Sequence, residues 1–149
     1  MATVEKSIEV DRPVSTVYNQ WTQFETFPEF MQGVERVQQV DDKHLHWKAD
    51  IGFVEREWDA EITDQVPDQA ISWRSIGDVR NDGYVSFLPL PGDRTQVTLR
   101  IDYDPDGLIE KAGDKLGIVG QRVEGDLKRF KEFIESRGAE TGAWRGEIH

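Results

Sequence analysis

The chain has no cysteine, which removes disulfides, thiolate metal sites and cysteine nucleophiles from consideration. Basic residues are scarce: Lys and Arg number 18 against 29 Asp and Glu, a formal net charge of −11. A chain of that sign repels a phosphate backbone, so no nucleic-acid partner is expected. No apolar run approaches the roughly 18 residues of a membrane-spanning helix, and the opening MATVEKSIEVDRP lacks the apolar centre of a signal peptide. No stable membrane insertion is expected, and a cytoplasmic location is. Gly-x-Ser-x-Gly, Walker-type and dinucleotide-type glycine loops are also missing, which leaves nucleophilic catalysis and cofactor binding without support. What the sequence does contain is 149 residues of which 37% are hydrophobic and 10% aromatic, enough for one domain with a sizeable core.

The apolar residues are arranged with clear periods. Val4, Ile8 and Val10 alternate with Glu5, Ser7 and Glu9, as in a half-buried strand over residues 3–10. Pro13 suits a first helical position, and Val14, Val17, Tyr18 and Trp21 follow at helical spacing. Thr26-Phe27-Pro28-Glu29 has the form of a capping box, predicting a second short helix from Thr26 with Phe27, Phe30 and Met31 on its apolar side. From Val34 the period returns to two, giving six further strands over 34–40, 45–51, 54–66, 70–76, 83–88 and 95–103. Turn residues separate them, among them Asp41-Asp42, Asn81-Asp82-Gly83 and Pro91-Gly92-Asp93, and such short connections imply an antiparallel meander. From Leu108 to Ile134 one apolar stripe runs along a long helix through Ile109, Ala112, Leu116, Val119, Val123, Leu127 and Phe130, with Gly138 past its end. The chain therefore reads as an α+β domain over 1–138, a curved seven-stranded antiparallel sheet wrapped around a long C-terminal helix, with two short helices between the first two strands. Residues 139–149 carry no periodicity and are expected to form a flexible tail.

Several clusters invite a chemical reading and fail it. His44 and His46 share a strand face with each other but alternate with Leu45 and Trp47, so they belong to the solvent side, and a third zinc ligand is missing. Asp102-x-Asp104-x-Asp106-Gly107 opens like a calcium loop, but its twelfth position is Gly113 rather than glutamate, and Pro105 interrupts it. No metal is expected. Glu55, Glu57, Asp59 and Glu61 share one side of a strand whose other side is Trp58, Ala60 and Ile62, so the acids face water.

The positive signal is the apolar side of the sheet. By strand parity it gathers Trp47, Ala49, Ile51, Trp58, Ala60, Ile62, Ile71, Trp73, Val85, Phe87, Val97, Leu99, Ile101 and Tyr103. Arg56 and Ser75 share that parity as candidate polar groups, with Lys6 the odd polar residue on the first strand. Small residues such as Ala49, Ala60 and Gly83 would leave gaps between bulky walls. Gly113, Gly117 and Gly120 flank the helical stripe, either for close backbone packing or to leave room for a ligand. Composition alone does not separate a ligand cavity from an ordinary filled core.

The order of elements, with the phrases SIEVDRPVSTVYNQWTQFETFPEFMQGVERV, HWKADIGFVEREWDAEIT, ISWRS and DLKRFKEFIESRG, resembles the polyketide cyclase/dehydrase group of the START-like superfamily over residues 3–137. These helix-grip proteins include coenzyme Q-binding proteins, and the resemblance implies a deep cavity between sheet and helix. The expected function is binding of a lipid, quinone or polyketide-type molecule there. The expected lining adds Phe27, Phe30, Met31, Leu116, Gly117, Gly120 and Val123 to the sheet residues. The alternative is a cyclase or dehydratase acting on a similar ligand, with Arg56 polarising a carbonyl and Tyr103 moving a proton. A third reading is an assembly protein with a filled core. No inward His, Cys or carboxylate is evident, which favours binding, and a monomer or homodimer is expected.

Overall fold

A strand with one apolar face needs a neighbour on each edge and a cover on that face, and this chain supplies both in sequence order. The computed structural model describes residues 2–51, 54–77, 81–103 and 115–148, the side chains at 2, 51, 54 and 115–119 excepted. Seven strands, β1 (Ala2–Val10), β2 (Val34–Gln39), β3 (His44–Ile51), β4 (Val54–Val66), β5 (Ala70–Ile76), β6 (Asn81–Leu90) and β7 (Arg94–Tyr103), form one curled antiparallel sheet. Its order is β1-β7-β6-β5-β4-β3-β2. The first two strands thus hold opposite edges, and the chain crosses between them through α1 (Val14–Trp21) and a 3-10 helix (Phe24–Glu29). The long C-terminal helix α2 (Lys115–Arg137) is gripped by the sheet. This is the helix-grip α+β fold.

Strand parity assigns the faces as the sequence predicts. Trp47, Trp58 and Trp73 are 5%, 6% and 4% exposed, and Val85, Phe87, Val97 and Leu99 are buried with them. The α2 stripe of Val123, Leu127, Phe130 and Ile134 is buried as well. Its Phe130 meets Phe30 edge-on at 5.1 Å and Trp21 at 5.2 Å, and Phe27 joins Trp21 to Phe30 at 5.3 and 5.6 Å. This aromatic cluster binds α2 to both short helical segments. The stripe from Leu108 to Ala112 and the acids Asp104 and Asp106 lie outside the described residues. Asp102 accepts hydrogen bonds from Thr3 Oγ1 at 2.6 Å and Arg100 Nε at 3.3 Å.

The structure corrects four local expectations. The 3-10 helix begins at Phe24, so Thr26 is not its cap; its hydroxyl donates to the Gln23 carbonyl at 2.6 Å and accepts from Gln20 Nε2 at 3.1 Å. Pro13 is the N-cap of α1 rather than its first residue, and its carbonyl accepts the Val17 N–H at 3.1 Å. Asn81-Asp82-Gly83, read as a turn, lies within β6 and pairs with Tyr103, Asp102 and Ile101. β4 carries a bulge between Ile62 and Asp64, which reverses its parity so that Gln65 is buried beyond it.

Residues 139–148, without periodicity, make specific contacts instead. Ile148 exchanges backbone hydrogen bonds with Gln65 at 2.8 and 2.9 Å, on the stretch of β4 that extends past β3. Arg145 donates to Asn19 Oδ1 at 2.7 Å and Asp68 Oδ2 at 2.8 Å, and its guanidinium lies over the Tyr18 ring. Gln20 and Thr22 of the α1 end accept the N–H groups of Thr141 and Trp144. Single anchors of this kind leave no repeat for a sequence pattern to reveal.

On the outer face His44 and His46 stand opposite acids of β4. His46 lies 2.8 Å from Asp59 Oδ1 and 3.0 Å from Glu57 Oε1. Those two hydrogen bonds, Asp59 first, hold the imidazole above its ordinary pKa of 6.5. Folding therefore favours the protonated ring, so this stabilisation is complete below pH 6.5 and is lost as pH rises through the raised value. The urea midpoint of the wild type should decline relative to that of His46→Gln as pH goes from about 6 to about 8. Parallel curves would refute the pairing.

Candidate functional site

Cross-strand neighbours build the main wall of the site. Trp47 and Trp58 are direct partners on β3 and β4, and their indoles stack with an interplanar angle of 5° at 5.8 Å. Trp73 on β5 continues the row, 26° from Trp47 at 6.0 Å. Gly83 is the Cα partner of Trp73, and a Cβ there would overlap the indole. The glycine thus seats the tryptophan against β6; the gap predicted at Gly83 is filled by that ring.

Between this row and α2 lies a cavity of about 100 Å³. Among the expected residues, Met31, Trp47, Ala49, Trp58, Trp73, Leu99, Tyr103 and Val123 line it. Others sit elsewhere. Phe27 and Phe30 belong to the aromatic cluster, Phe87 packs edge-on to Tyr18 at 5.5 Å, and Ala60 and Val85 are fully buried in the sheet core. Ser75 is buried, but its hydroxyl donates to Asp82 at 3.3 Å and accepts the Asn81 N–H at 3.1 Å. Arg56 shares the parity of Trp58 and is half-buried outside the cavity lining. Among the described residues, a Cβ at Gly120 would touch only the Lys6 stem at 3.8 Å, so this glycine and Lys6 mark the α2–β1 packing. Leu116 and Gly117 lie outside the residues whose side chains are described.

The lining also contains Ile101, which strand parity put on this face, and residues that sequence reasoning missed: Val34, Asn81, Arg122 and Asp126. Asp126 corrects the expectation that no carboxylate faces inward. It is 8% exposed, and burial pushes its pKa up against the opposing hydrogen bonds of the Gln32 N–H and Arg129. Gln32 N–H donates to Asp126 Oδ1 at 2.9 Å, and Arg129 donates to the same oxygen. Arg122 Nη1 donates to the Asp50 carbonyl at 2.8 Å. A signal for these groups exists in the sequence: Arg122, Asp126 and Arg129 recur at helical spacing beside Val123, Leu127 and Phe130, and so form a polar row along the apolar stripe. Among the described residues no cluster of His, Asp and Glu could hold a metal ion.

The arrangement offers an apolar, aromatic chamber with charged groups on its α2 side, suited to a small apolar body carrying a polar end. Comparison with known proteins meets that description. A family model for polyketide cyclase/dehydrase and lipid transport matches residues 10–132. The chain belongs to this family. An uncharacterized 17.2 kDa protein from Streptomyces lincolnensis is 53% identical over 149 residues, which cover 99% of each chain. Two solved structures share the fold of this polyketide cyclase/dehydrase family protein. The Zhui aromatase/cyclase from Streptomyces sp. R1128 has a TM-score of 0.76 at 18% identity, covering 96% of this chain and 99% of that one. A START superfamily protein from Mycobacterium smegmatis has a TM-score of 0.69 at 14% identity, covering 91% and 95%. Among the described residues of this family member, no helix is long and apolar enough to cross a membrane.

Gly83→Ala tests the seating of the indole row. The added methyl should displace Trp73 toward the cavity and destabilise the fold by about 1–3 kcal/mol, as overpacking does. Urea unfolding and the tryptophan emission maximum check this; an unchanged midpoint and spectrum would contradict it.

Proposed function

We propose that this protein binds a small hydrophobic or aromatic molecule between its sheet and α2. The observation that carries the reading is the chamber itself, an indole row facing α2 across a cavity of about 100 Å³. Close packing is the default of protein interiors, and a void beside three large side chains costs contacts that a ligand would restore. Membership in a family described by cyclase, dehydrase and lipid-transport roles supports the same reading. A stacked aromatic wall favours a flat ligand over a saturated chain, since ring faces prefer offset stacking. Affinity would come mainly from burying apolar area, at about 25 cal/mol per Å² before ordering costs. Arg122 and Asn81 would orient a carbonyl or hydroxyl at the ligand's polar end.

A cyclase or dehydratase is the second reading, and Asp126 is the observation in its favour. Burial raises its pKa, so the carboxyl is better able to hold a proton, and Tyr103 lines the same chamber. Binding stands first because Asp126 Oδ1 already accepts hydrogen bonds from the protein itself.

Titration with naphthalene and with the bicyclic ketone 1-tetralone tests the proposal. Both should quench indole emission saturably and raise Tm, because a ligand that binds only the native state must stabilise it. Arg122→Ala should weaken the ketone about tenfold and leave naphthalene within about twofold, since only the ketone accepts a hydrogen bond. If a panel of such molecules leaves both emission and Tm unchanged, the chamber is not a binding site.

A further inference from the structure

The indole row carries polar groups that its packing does not use. Stacking engages the ring faces of Trp47 and Trp58, whose centroids lie 5.8 Å apart at an interplanar angle of 5°. The N–H of each indole lies in the ring plane instead, and it can only donate. Trp47 is 5% exposed and Trp58 6%, and among the described residues neither Nε1 has a hydrogen-bond partner. Buried donors without an acceptor are uncommon in protein interiors, and here two of them stand side by side on paired strands. Both residues line the cavity.

Other polar side chains at the chamber are met by the chain itself. The Ser75 hydroxyl bonds to Asp82 and to the Asn81 N–H, Asp126 Oδ1 accepts from Gln32 and Arg129, and Arg122 Nη1 donates to the Asp50 carbonyl. The two indole nitrogens have no such arrangement, and both are buried from solvent. An acceptor for them can come only from the contents of the chamber they border. A hydrocarbon supplies none. A ligand whose single oxygen is turned to Arg122, across the cavity on α2, also leaves both indole donors unpaired, and an unmet buried donor weighs against such a ligand.

We propose that the ligand carries a second acceptor oxygen, received by the indole N–H groups of Trp47 and Trp58, so that the site selects a flat dione over a mono-ketone or a hydrocarbon; this rests on the binding reading above. One oxygen meets Arg122 on the α2 side and the other lies against the row. Trp47 and Trp58 thereby determine specificity as well as supplying apolar contact. A site with buried donors discriminates strongly against a ligand that lacks the matching acceptor, because the ligand's shape cannot make up for the unmade bond.

Three bicyclic probes of similar outline test this: 1,4-naphthoquinone, 1-tetralone and naphthalene carry two, one and no carbonyl oxygens. The chain has no cysteine thiol to add to the quinone. By isothermal titration calorimetry the dione should bind about tenfold more tightly than the ketone, the worth of meeting buried donors. Trp47→Phe and Trp58→Phe remove one N–H each and should each cut that preference by about threefold or more. Comparing two ligands within one variant cancels the effect of the smaller ring on packing. Magnetic resonance of wild-type protein with isotopically labelled indoles needs no variant to fold. On saturation with the dione the Nε1 protons of Trp47 and Trp58 should move downfield, as new hydrogen bonds require, and with naphthalene they should not. Trp21 is the internal control, since its Nε1 is also buried without a partner but sits in the aromatic cluster, outside the cavity lining. Its proton should stay in place. A dione that binds no more tightly than the ketone, or that binds without moving either indole proton downfield, would overturn the proposal and leave the binding reading standing. If none of the three probes binds, the binding reading fails and the proposal falls with it.

Discussion

One helix cannot fill the concave face of a seven-stranded sheet, and everything about the site follows from where the shortfall is left. The aromatic cluster of Trp21, Phe27, Phe30 and Phe130 takes up the space at one end of α2. Edge-to-face geometry there locks helix, 3-10 segment and α1 together, so the C-terminal half of α2 has no freedom to settle deeper. The indole row on β3, β4 and β5 borders the cavity together with Val123 and Asp126 of α2. Removing a ring from the cluster would cost about 3–5 kcal/mol in packing alone and would also release the constraint that keeps the chamber open.

The polar groups at the chamber obey the same constraint. A helix that buries a stripe of apolar residues must turn the residues beside that stripe along the boundary between core and water, and on α2 those are Arg122, Asp126 and Arg129. A buried carboxylate is tolerated there because it accepts the Gln32 N–H and an arginine, which offset its lost hydration. The same bonds tie the helix to the connection entering β2. Core, cavity wall and polar fastening are thus parts of a single packing solution.

The sheet and its faces were legible because the period of two holds along most of the strands, the part of β4 beyond its bulge excepted: Trp47, Trp58 and Trp73 are inside and His44, His46 and Glu57 outside, as their parity requires. Misreadings arose where a local signal competed with tertiary context. Asn81-Asp82-Gly83 has turn composition, yet β7 offers it a ladder partner at every residue, and Gly83 serves Trp73 rather than a bend. Thr26 and Glu29 have capping spacing, but the Gln20 and Gln23 partners of Thr26 draw its hydroxyl into the segment instead. Arg56 and Ser75 were legible as inward-facing from parity, whereas which inward residues border the void depends on ring orientations that no strand pattern carries. Arg122 and Asp126 escaped notice because an apolar-stripe reading discards the polar residues next to the stripe.

Native mass spectrometry of the freshly purified, full-length protein, followed by extraction and identification of whatever it retains, tests the central claim most directly. The account predicts a fraction of the protein carrying one small apolar or aromatic molecule at unit stoichiometry, displaced by 1-tetralone and diminished in Gly83→Ala. Protein that carries no such molecule, and that gives only its bare mass after incubation with the aromatic panel, would contradict it.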